Sequence, residues 1–335
     1  MFRSALIAVL LAVPAGNAVS LAQTAGTADV HVRVSPDVKT GMEGTTEFPT
    51  IQMALDHHPF PRAGSGGRVY LHIAPGIYRE RVVVTQNHPG IVLLGTGKTP
   101  GDVVITGNLN AAGAGGTFVS QTVEVNGADF VADNLTIENT AGQTGPAVAL
   151  AIRSDRAIVK HCRILGHQHT LFADYGRQYY LDSYIEGDIH FIFGNAAAVF
   201  DRSEIHSNGP GVIASQSRTE AGQATGYVFL NSKVTGAGGA IGLGDPWRAY
   251  SRTVFIRTSL AGEVSPEGWS DRGNAANRAT AYYGEWENTG PGAGMAARVP
   301  WAHRLSADEA RAYFPTIFLR GSDNWNAPEE AKKLP

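Results

Sequence analysis

The chain carries six short segments of one shape, and this repeat constrains its fold more than any other feature of the sequence. Each segment has a small or apolar residue at its centre and an aliphatic residue two positions later. An aromatic or β-branched stretch precedes each one. The segments are 133–137, 160–164, 181–185, 201–205, 230–234 and 256–260. They recur roughly every 20 to 30 residues, a spacing typical of a solenoid whose coils bury their faces only against their neighbours.

The interval between the segments also indicates what each coil contains. It is too short for a strand–helix unit, and the segments show no helical period. The chain has 40 glycines and many short clusters of Val, Ile, Phe and Thr, which favour β-structure. We therefore predict an all-β fold, a right-handed parallel β-helix with short terminal helices. An antiparallel sandwich is the alternative, but four of the five intervals between the segments lack an Asn-Gly or Asp-Gly hairpin turn.

Alternation within the strands predicts which residues of the repeat face the core. The central positions form one inward ladder, made of Leu135, Cys162, Ser183, Ser203, Ser232 and Thr258. The aliphatic positions form the next, made of Ile137, Ile164, Ile185, Ile205, Val234 and Leu260. Cys162 is the single cysteine, so an intramolecular disulfide is excluded and a buried structural thiol is expected.

Both ends of the chain differ from the repeat. Residues 48–57 have the pattern of a short helix that Thr46 or Thr50 caps. Residues 306–313 have that of a second helix, with Ser306 as its cap and Glu309 in the capping-box position. We expect a set of apolar residues near this helix to close the open end of the solenoid: Val299, Trp301, Tyr313, Phe314, Ile317 and Phe318.

Residues 1–22 have the features of a signal peptide. Arg3 supplies the positive charge, residues 5–14 form an apolar run too short to span a bilayer, and Ser20-Leu21-Ala22 resembles a cleavage site. A membrane anchor or a buried amino-terminal helix is the alternative interpretation. We expect a secreted or periplasmic protein without a membrane segment after cleavage, in which residues 23–335 form one domain.

The charge distribution restricts the partners of the chain. The formal net charge is −3, and the sequence has no basic patch. Nucleic acid is therefore excluded as a partner, because phosphate contacts need clustered Lys and Arg. A neutral ligand would suit this surface better than a polyanion, and a monomer is expected.

Ordered motifs along residues 29–326 are similar to those of the pectinesterase (pectin methylesterase) family. They are 76–80 (Gly-Ile-Tyr-Arg-Glu), 139–142 (Asn-Thr-Ala-Gly), 146–150 (Pro-Ala-Val-Ala-Leu), 176–180 (Gly-Arg-Gln-Tyr-Tyr), 185–187 (Ile-Glu-Gly), 191–200, 243–247 (Leu-Gly-Asp-Pro-Trp), 282–292 and 324–325 (Asn-Trp). The resemblance implies a parallel β-helix with a sugar-binding cleft along one side. It also implies an exported esterase that hydrolyses methyl or related esters of a uronic-acid polysaccharide such as pectin.

The catalytic positions depart from the family pattern. The family uses two aspartates, an arginine that holds the nucleophilic aspartate, and two glutamines that stabilise the oxyanion. Matched by position, the acid/base aspartate is His169, the nucleophile is His190, and the arginine is Asp245. The first glutamine is Pro146, and the second survives as Gln168.

The replaced site permits three kinds of chemistry. In the first, His190 or His169 is a general base that Asp245 orients, while Gln168 and a backbone N–H hold the oxyanion, without a cofactor. In the second, His169, His190 and Asp245 bind a divalent metal in a metal-dependent esterase, with His167 or Asp188 as a further ligand. In the third, the protein is an inactive relative that only binds carbohydrate. Uronate lyase chemistry would also need a cation, and the sequence reveals no clear one.

Further residues are candidates for substrate binding. Trp247 faces the sugar in the family, and Arg248, Tyr175 and Phe193 are expected to join it. Tyr179 and Trp269 are further candidates for stacking on sugar rings.

Two polar residues near the histidines have open roles. His167 shares a strand face with His169 and is either a supporting or a solvated residue. Asp188 shares one with His190 and would either orient it or have a structural role.

Overall fold

The computed structural model describes residues 29–39, 46–57 and 67–334. The predicted signal peptide, residues 1–22, lies outside this part of the chain. Within it, no helix combines the length and apolar character needed to cross a bilayer.

Short strands make up most of the described chain. The first nine are β1 Val30–Val34, β2 Glu47–Phe48, β3 Val69–Ile73, β4 Gly76–Arg79, β5 Val82–Val84, β6 Ile91–Gly95, β7 Val103–Gly107, β8 Val123–Val125 and β9 Val131–Asp133. The next nine are β10 Thr136–Asn139, β11 Leu150–Arg153, β12 Ala157–Lys160, β13 Arg163–Leu165, β14 Leu171–Tyr175, β15 Arg177–Leu181, β16 Tyr184–Gly194, β17 Ala197–Asp201 and β18 Glu204–Gln216. The last seven are β19 Gly226–Leu230, β20 Lys233–Gly236, β21 Ile241–Pro246, β22 Arg252–Ile256, β23 Ser259–Leu260, β24 Tyr282–Trp286 and β25 His303–Arg304.

Helices are short and lie mainly towards the ends. The α-helices are α1 Ile51–His57, α2 Ala111–Ala114, α3 Ala307–Arg311, α4 Pro315–Phe318 and α5 Ala327–Lys333. Single 3₁₀ turns occupy Pro100–Asp102, Thr117–Val119, Ala275–Ala279 and Met295–Ala297.

The paired strands are all parallel and form a β-helix. The first sheet has the order β2-β1-β3-β6-β9-β12-β15-β17-β19-β22-β24-β25. The second consists of two ladders, one through β4, β7, β10, β13, β20 and β23, the other through β5, β8, β11, β14 and β21. These ladders join because β16 and β18 run through both without interruption. Each coil therefore contributes to three faces, and the predicted right-handed parallel β-helix is confirmed.

A left-handed residue marks the corner between the first sheet and the next ladder. The second residue of each repeated segment has φ between +46° and +55°: Asn134, His161, Asp182, Arg202, Asn231 and Arg257. This conformation turns the backbone within one residue and brings the following residue into the core. The predicted inward ladder is confirmed, because its members are all buried.

The hydroxyls of the inward ladder are satisfied within the core. The Ser183 hydroxyl accepts from the Cys162 N–H at 3.2 Å, and the Ser203 hydroxyl accepts from the Ser183 N–H at 3.2 Å. The Ser232 hydroxyl continues the column by accepting from the Ser203 N–H at 3.0 Å. These bonds offset the cost of burying polar atoms. Burial raises the pKa of the Cys162 thiol to about 12, as expected for a structural cysteine.

The core also contains an aromatic column. Tyr180, Phe200, Phe229 and Phe255 stack from coil to coil with ring centroids 4.6, 4.7 and 4.3 Å apart. Neighbouring parallel strands place equivalent residues about 4.8 Å apart, which is the spacing that stacked rings prefer.

The predicted terminal helices are present but shorter than expected. Helix α1 begins at Ile51, because Phe48 belongs to β2 and Glu80 accepts the N–H groups of Ile51 and Gln52. Helix α3 has the predicted capping box of Ser306 and Glu309 and ends at Arg311.

The prediction that six apolar residues close the end of the solenoid is partly wrong. Val299 and Trp301 pack against the inner core. Tyr313, Phe314 and Phe318 instead pack on the outer face of the first sheet, together with α4 and α5. Ile317 is exposed. The carboxy-terminal segment thus covers an apolar outer face that the sequence repeat does not reveal.

Candidate active site

The replaced catalytic positions lie in the second sheet, at and just after the corner where its first ladder passes into its second. His169 lies between β13 and β14, His190 lies in the middle of β16, and Asp245 lies in β21. These elements belong to different coils that stack in parallel, so residues distant in sequence become neighbours. His169 and His190 both have left-handed backbones, with φ of +64° and +46°. Such conformations are uncommon for non-glycine residues and cluster at functional sites.

His190 and Asp245 form a carboxylate–imidazole pair. The Nε2 atom of His190 donates to the Asp245 Oδ2 atom at 3.0 Å. The Ser215 hydroxyl donates to the other carboxylate oxygen, and Arg272 lies 3.3 Å from it. Burial alone would raise the pKa of Asp245, but the hydrogen bond and charge of His190, with Ser215 and Arg272, lower it below its usual value. Asp245 is therefore a carboxylate.

This pair leaves the other ring nitrogen of His190 available. Because Nε2 donates to a carboxylate, the lone pair of a neutral ring resides on Nδ1. Nδ1 makes no hydrogen bond to any residue that the structure describes, and the side chain is 18% exposed. His190 thus combines an oriented ring with a free acceptor.

His169 has a different environment. It is only 5% exposed, and its ring stacks on Phe193 with centroids 4.4 Å apart. Burial, assisted by the charges of His190 and Arg272, lowers the pKa of His169 to about 4, so the ring is neutral near pH 7. Within the described residues neither ring nitrogen has a hydrogen-bond partner, and solvent does not reach them.

Trp247 covers both histidines. Its ring lies edge-on to His169 at 5.5 Å and to His190 at 6.2 Å, and the Arg272 guanidinium lies 4.5 Å above its face. Access to His169 therefore requires a displacement of Trp247 or of Phe193.

An aromatic cavity of about 340 Å³ adjoins Trp247. Its lining residues are Phe118, Arg153, Phe172, Asp174, Phe193, Gly194, Ser217, Trp247 and Arg248. It brings together three of the four predicted substrate-binding residues, and the fourth, Tyr175, is exposed and does not line it. Tyr179 and Trp269 are buried, so neither is available to stack on a sugar.

A second cavity of about 280 Å³ lies beside the site and contains Gln168. Asp188 also lines it and accepts hydrogen bonds from His167 Nδ1 at 3.0 Å and Gln143 Nε2 at 3.2 Å. Asp188 therefore holds His167 and does not orient His190. The Gln168 side chain makes no hydrogen bond within the described residues.

The arrangement of the side chains gives no support to the predicted metal set. Within residues 29–39, 46–57 and 67–334, no group of three or more His, Cys, Asp or Glu side chains is placed to hold a metal ion. Nε2 of His190 and both oxygens of Asp245 already bond to protein groups.

Sequence reasoning missed two residues of this site. Arg272 follows β23 in an irregular loop, outside every repeat and motif, yet it supplies the cation that the sequence does not reveal. Ser215 lies in β18, one coil away from Asp245, in the register Ser215↔Asp245. Only that register could have revealed it.

Comparisons with known proteins agree with the fold. The family model described as Pectinesterase matches residues 37–322. Pectinesterase 31 of Arabidopsis thaliana is 37% identical over 295 residues, which are 84% of this chain and 92% of that protein. The structure of the pectin methylesterase from carrot has a TM-score of 0.82 at 33% identity and covers 91% of this chain and 96% of its own. A pectin methylesterase in complex with a hexasaccharide has a TM-score of 0.73 at 25% identity, with 88% and 98% covered.

Proposed function

This chain belongs to the pectinesterase family, and we propose from that premise that it hydrolyses methyl esters of a uronic-acid polysaccharide such as pectin with a histidine base. The membership makes it a carboxylic ester hydrolase of pectinesterase type. The chemistry must differ from that of the family, because imidazoles occupy the positions of both aspartates.

The His190–Asp245 pair is the observation that carries this proposal. A carboxylate that accepts from one ring nitrogen fixes the ring orientation and stabilises the imidazolium formed when the other nitrogen takes a proton. The 3.0 Å contact and the buried, charged Asp245 supply both conditions.

The proposed reaction is a single displacement. Nδ1 of His190 takes a proton from a water molecule, whose oxygen attacks the ester carbonyl carbon. The carbonyl π electrons move onto its oxygen and form a tetrahedral oxyanion. When this intermediate collapses, the bond to the methoxy oxygen breaks, and the imidazolium returns its proton to that oxygen. The products are methanol and a uronic acid, and no covalent enzyme intermediate forms.

Oxyanion stabilisation is assigned to Gln168 with a backbone N–H. The Gln168 amide lines the adjacent cavity and has no competing partner within the described residues. His169 is neutral, so it adds no positive charge that would oppose protonation of His190. Its unpartnered nitrogens become available to the substrate only when Trp247 or Phe193 moves.

Substrate binding is assigned to the aromatic cavity. Trp247 offers ring surface for the apolar side of a sugar, and Arg248 lies at the exposed margin. Phe193 is buried and stacks on His169 and Phe172, so it forms part of the cavity wall and does not stack on a sugar as predicted. We assign Tyr175, on the neighbouring surface, to more distant sugars of a long chain. The solved relative with a hexasaccharide supports a polysaccharide as the partner.

Export as a monomer completes the proposal. The signal-like residues 1–22 and the polymeric substrate support a secreted or periplasmic location. No cofactor is part of the proposed mechanism.

Methanol release from methyl-esterified pectin tests the function. The wild-type protein should release methanol equally with and without a chelator, and His190→Ala should lower kcat by about 10²–10⁴-fold. His161→Ala is the matched control, because His161 is an exposed histidine of the repeat that contacts Asp133.

Other outcomes identify the alternatives. Loss of activity on chelation would indicate a metal-dependent esterase. Oligosaccharide binding without methanol would indicate a binding protein, and new ultraviolet absorbance from an unsaturated uronate would indicate a lyase. Full esterase activity in His190→Ala would remove His190 from the mechanism.

A further inference from the structure

Arg272 contacts two parts of the site, the Asp245 carboxylate and the Trp247 ring. Its Nη1 atom lies 3.3 and 3.4 Å from the two oxygens of Asp245 and 3.4 Å from the Ser215 hydroxyl oxygen. Its guanidinium carbon lies 4.5 Å from the centre of the Trp247 ring. The first set of contacts involves the carboxylate that orients His190, and the second involves the ring that borders the sugar cavity.

The loop that carries Arg272 is held in place by its neighbour Asp271. The Asp271 carboxylate accepts from the Gly273 N–H at 2.9 Å and from Arg278 Nε at 2.7 Å, and its carbonyl accepts from Asn277. Arg272 itself has φ of +55°. These local bonds fix the backbone of Arg272 independently of the site, so its side chain approaches Asp245 from a defined position.

We propose that Arg272 is a positioning residue. It holds the Asp245 carboxylate in the place where that carboxylate orients His190, and it holds the Trp247 ring beside the sugar cavity. The inference rests on the proposed esterase function and adds to it a link between sugar binding and the orientation of the base. A sugar that displaces Trp247 ends the stacking of the Arg272 guanidinium on that ring. The guanidinium then keeps its contact with the Asp245 carboxylate.

The guanidinium suits both contacts for different reasons. Its charge is attracted by the Asp245 carboxylate, while its flat, weakly hydrated surface stacks on an aromatic ring. A lysine at this position would keep the charge and lose the flat contact. Glutamine would lose the charge as well. The two substitutions therefore separate the two roles.

Two other ionisable groups lie near Arg272. The buried His169 and the Tyr283 phenol both lie within electrostatic reach of Arg272. Burial raises the pKa of Tyr283 well above its usual value, and that of His169 is about 4, so neither changes charge near neutral pH.

Kinetics on methyl-esterified pectin provide the first test. Arg272→Gln should lower kcat/KM about tenfold, the loss expected for one charge-assisted contact, with a lower kcat and a higher KM. The kcat should fall because Asp245 no longer holds His190 in one orientation, and KM should rise because Trp247 loses its stacking partner. Arg272→Lys should retain kcat and raise KM.

Arg257→Gln is the matched control. Arg257 also has a left-handed backbone and stacks on aromatic rings, those of Trp286 and Phe314, but within the described residues it does not contact the site. Its substitution should leave kcat and KM unchanged. An unchanged kcat and an unchanged KM in both Arg272 variants would overturn the proposal.

Histidine NMR makes the test independent of turnover. At one fixed pH, the His190 ring resonances of Arg272→Gln should shift or broaden relative to the wild type, because the ring loses its single orientation, whereas those of Arg257→Gln should be unchanged. This result would support the positioning role even if the wild-type protein released no methanol, an outcome that would refute the proposed function alone. Identical His190 ring resonances in all three proteins would refute the positioning role.

Discussion

His169 and His190 lie on neighbouring coils with ring centroids 6.1 Å apart, yet only His190 has a carboxylate partner. The two histidines therefore have distinct properties within one cleft. His190 is oriented and partly accessible, whereas His169 is buried and neutral. This difference leads to separate predictions for each.

The stability of the protein should decrease as pH falls from about 6.5 to about 4. The folded-state pKa of His169, about 4, lies below the ordinary value of 6.5, so the unfolded state binds more protons in this window. The maximal loss from this residue is on the order of 3 kcal/mol. His169→Phe should show a flatter dependence of unfolding free energy on pH in chemical denaturation. An equal slope in both proteins would contradict the assigned burial.

Asp245→Asn should reduce kcat by about 10²–10⁴-fold with little effect on KM. The amide cannot stabilise an imidazolium, and its NH₂ group favours the wrong tautomer of His190. Steady-state methanol release provides the measurement. Asp188→Asn is the control, because Asp188 pairs with His167 and should have a much smaller effect on kcat. Equal losses in the two variants would indicate a general effect on the cleft.

Restoring the family residues should require more than one substitution. His190→Asp alone should be inactive, because it places a second carboxylate against the buried Asp245, and like charges at this distance repel. Adding Asp245→Arg should recover part of the stability, since it replaces the repulsion with an ion pair but also brings a second guanidinium beside Arg272. Thermal unfolding of the single and double variants measures this coupling. A double variant no more stable than His190→Asp would show that the substitutions are independent.

Trp247→Ala should weaken the binding of polymeric substrate. Loss of one stacking ring should raise KM about 3- to 10-fold, corresponding to about 0.5–1.5 kcal/mol. The same substitution uncovers His169, so a reagent that modifies histidines should react with that ring faster than in the wild type. Peptide mapping by mass spectrometry identifies the modified residue. Protection of His169 in the variant would show that Phe193 and the backbone alone cover it.

The architecture follows from the repeat in the amino-acid sequence. Each repeated segment has the same local conformation. Its second residue is left-handed and turns the backbone, its central residue points inward, and an aliphatic residue follows. Such information is local, and stacking repeats the same environment in every coil. The expectation that the histidines lie at the cleft came instead from the resemblance of their motifs to those of the family.

The pairing of the polar groups, in contrast, depends on the folded chain. The sequence offered Asp188 and Asp245 as partners for His190, and it did not single out Arg272 or Ser215. Asp245 is 55 residues from His190, and Arg272 is 27 residues beyond Asp245, so their contacts depend on the register between coils and on an irregular loop. A hydrogen bond tolerates only a few tenths of an ångström, which a repeat pattern does not specify. The fold therefore follows from periodicity, whereas the chemistry depends on distances between coils.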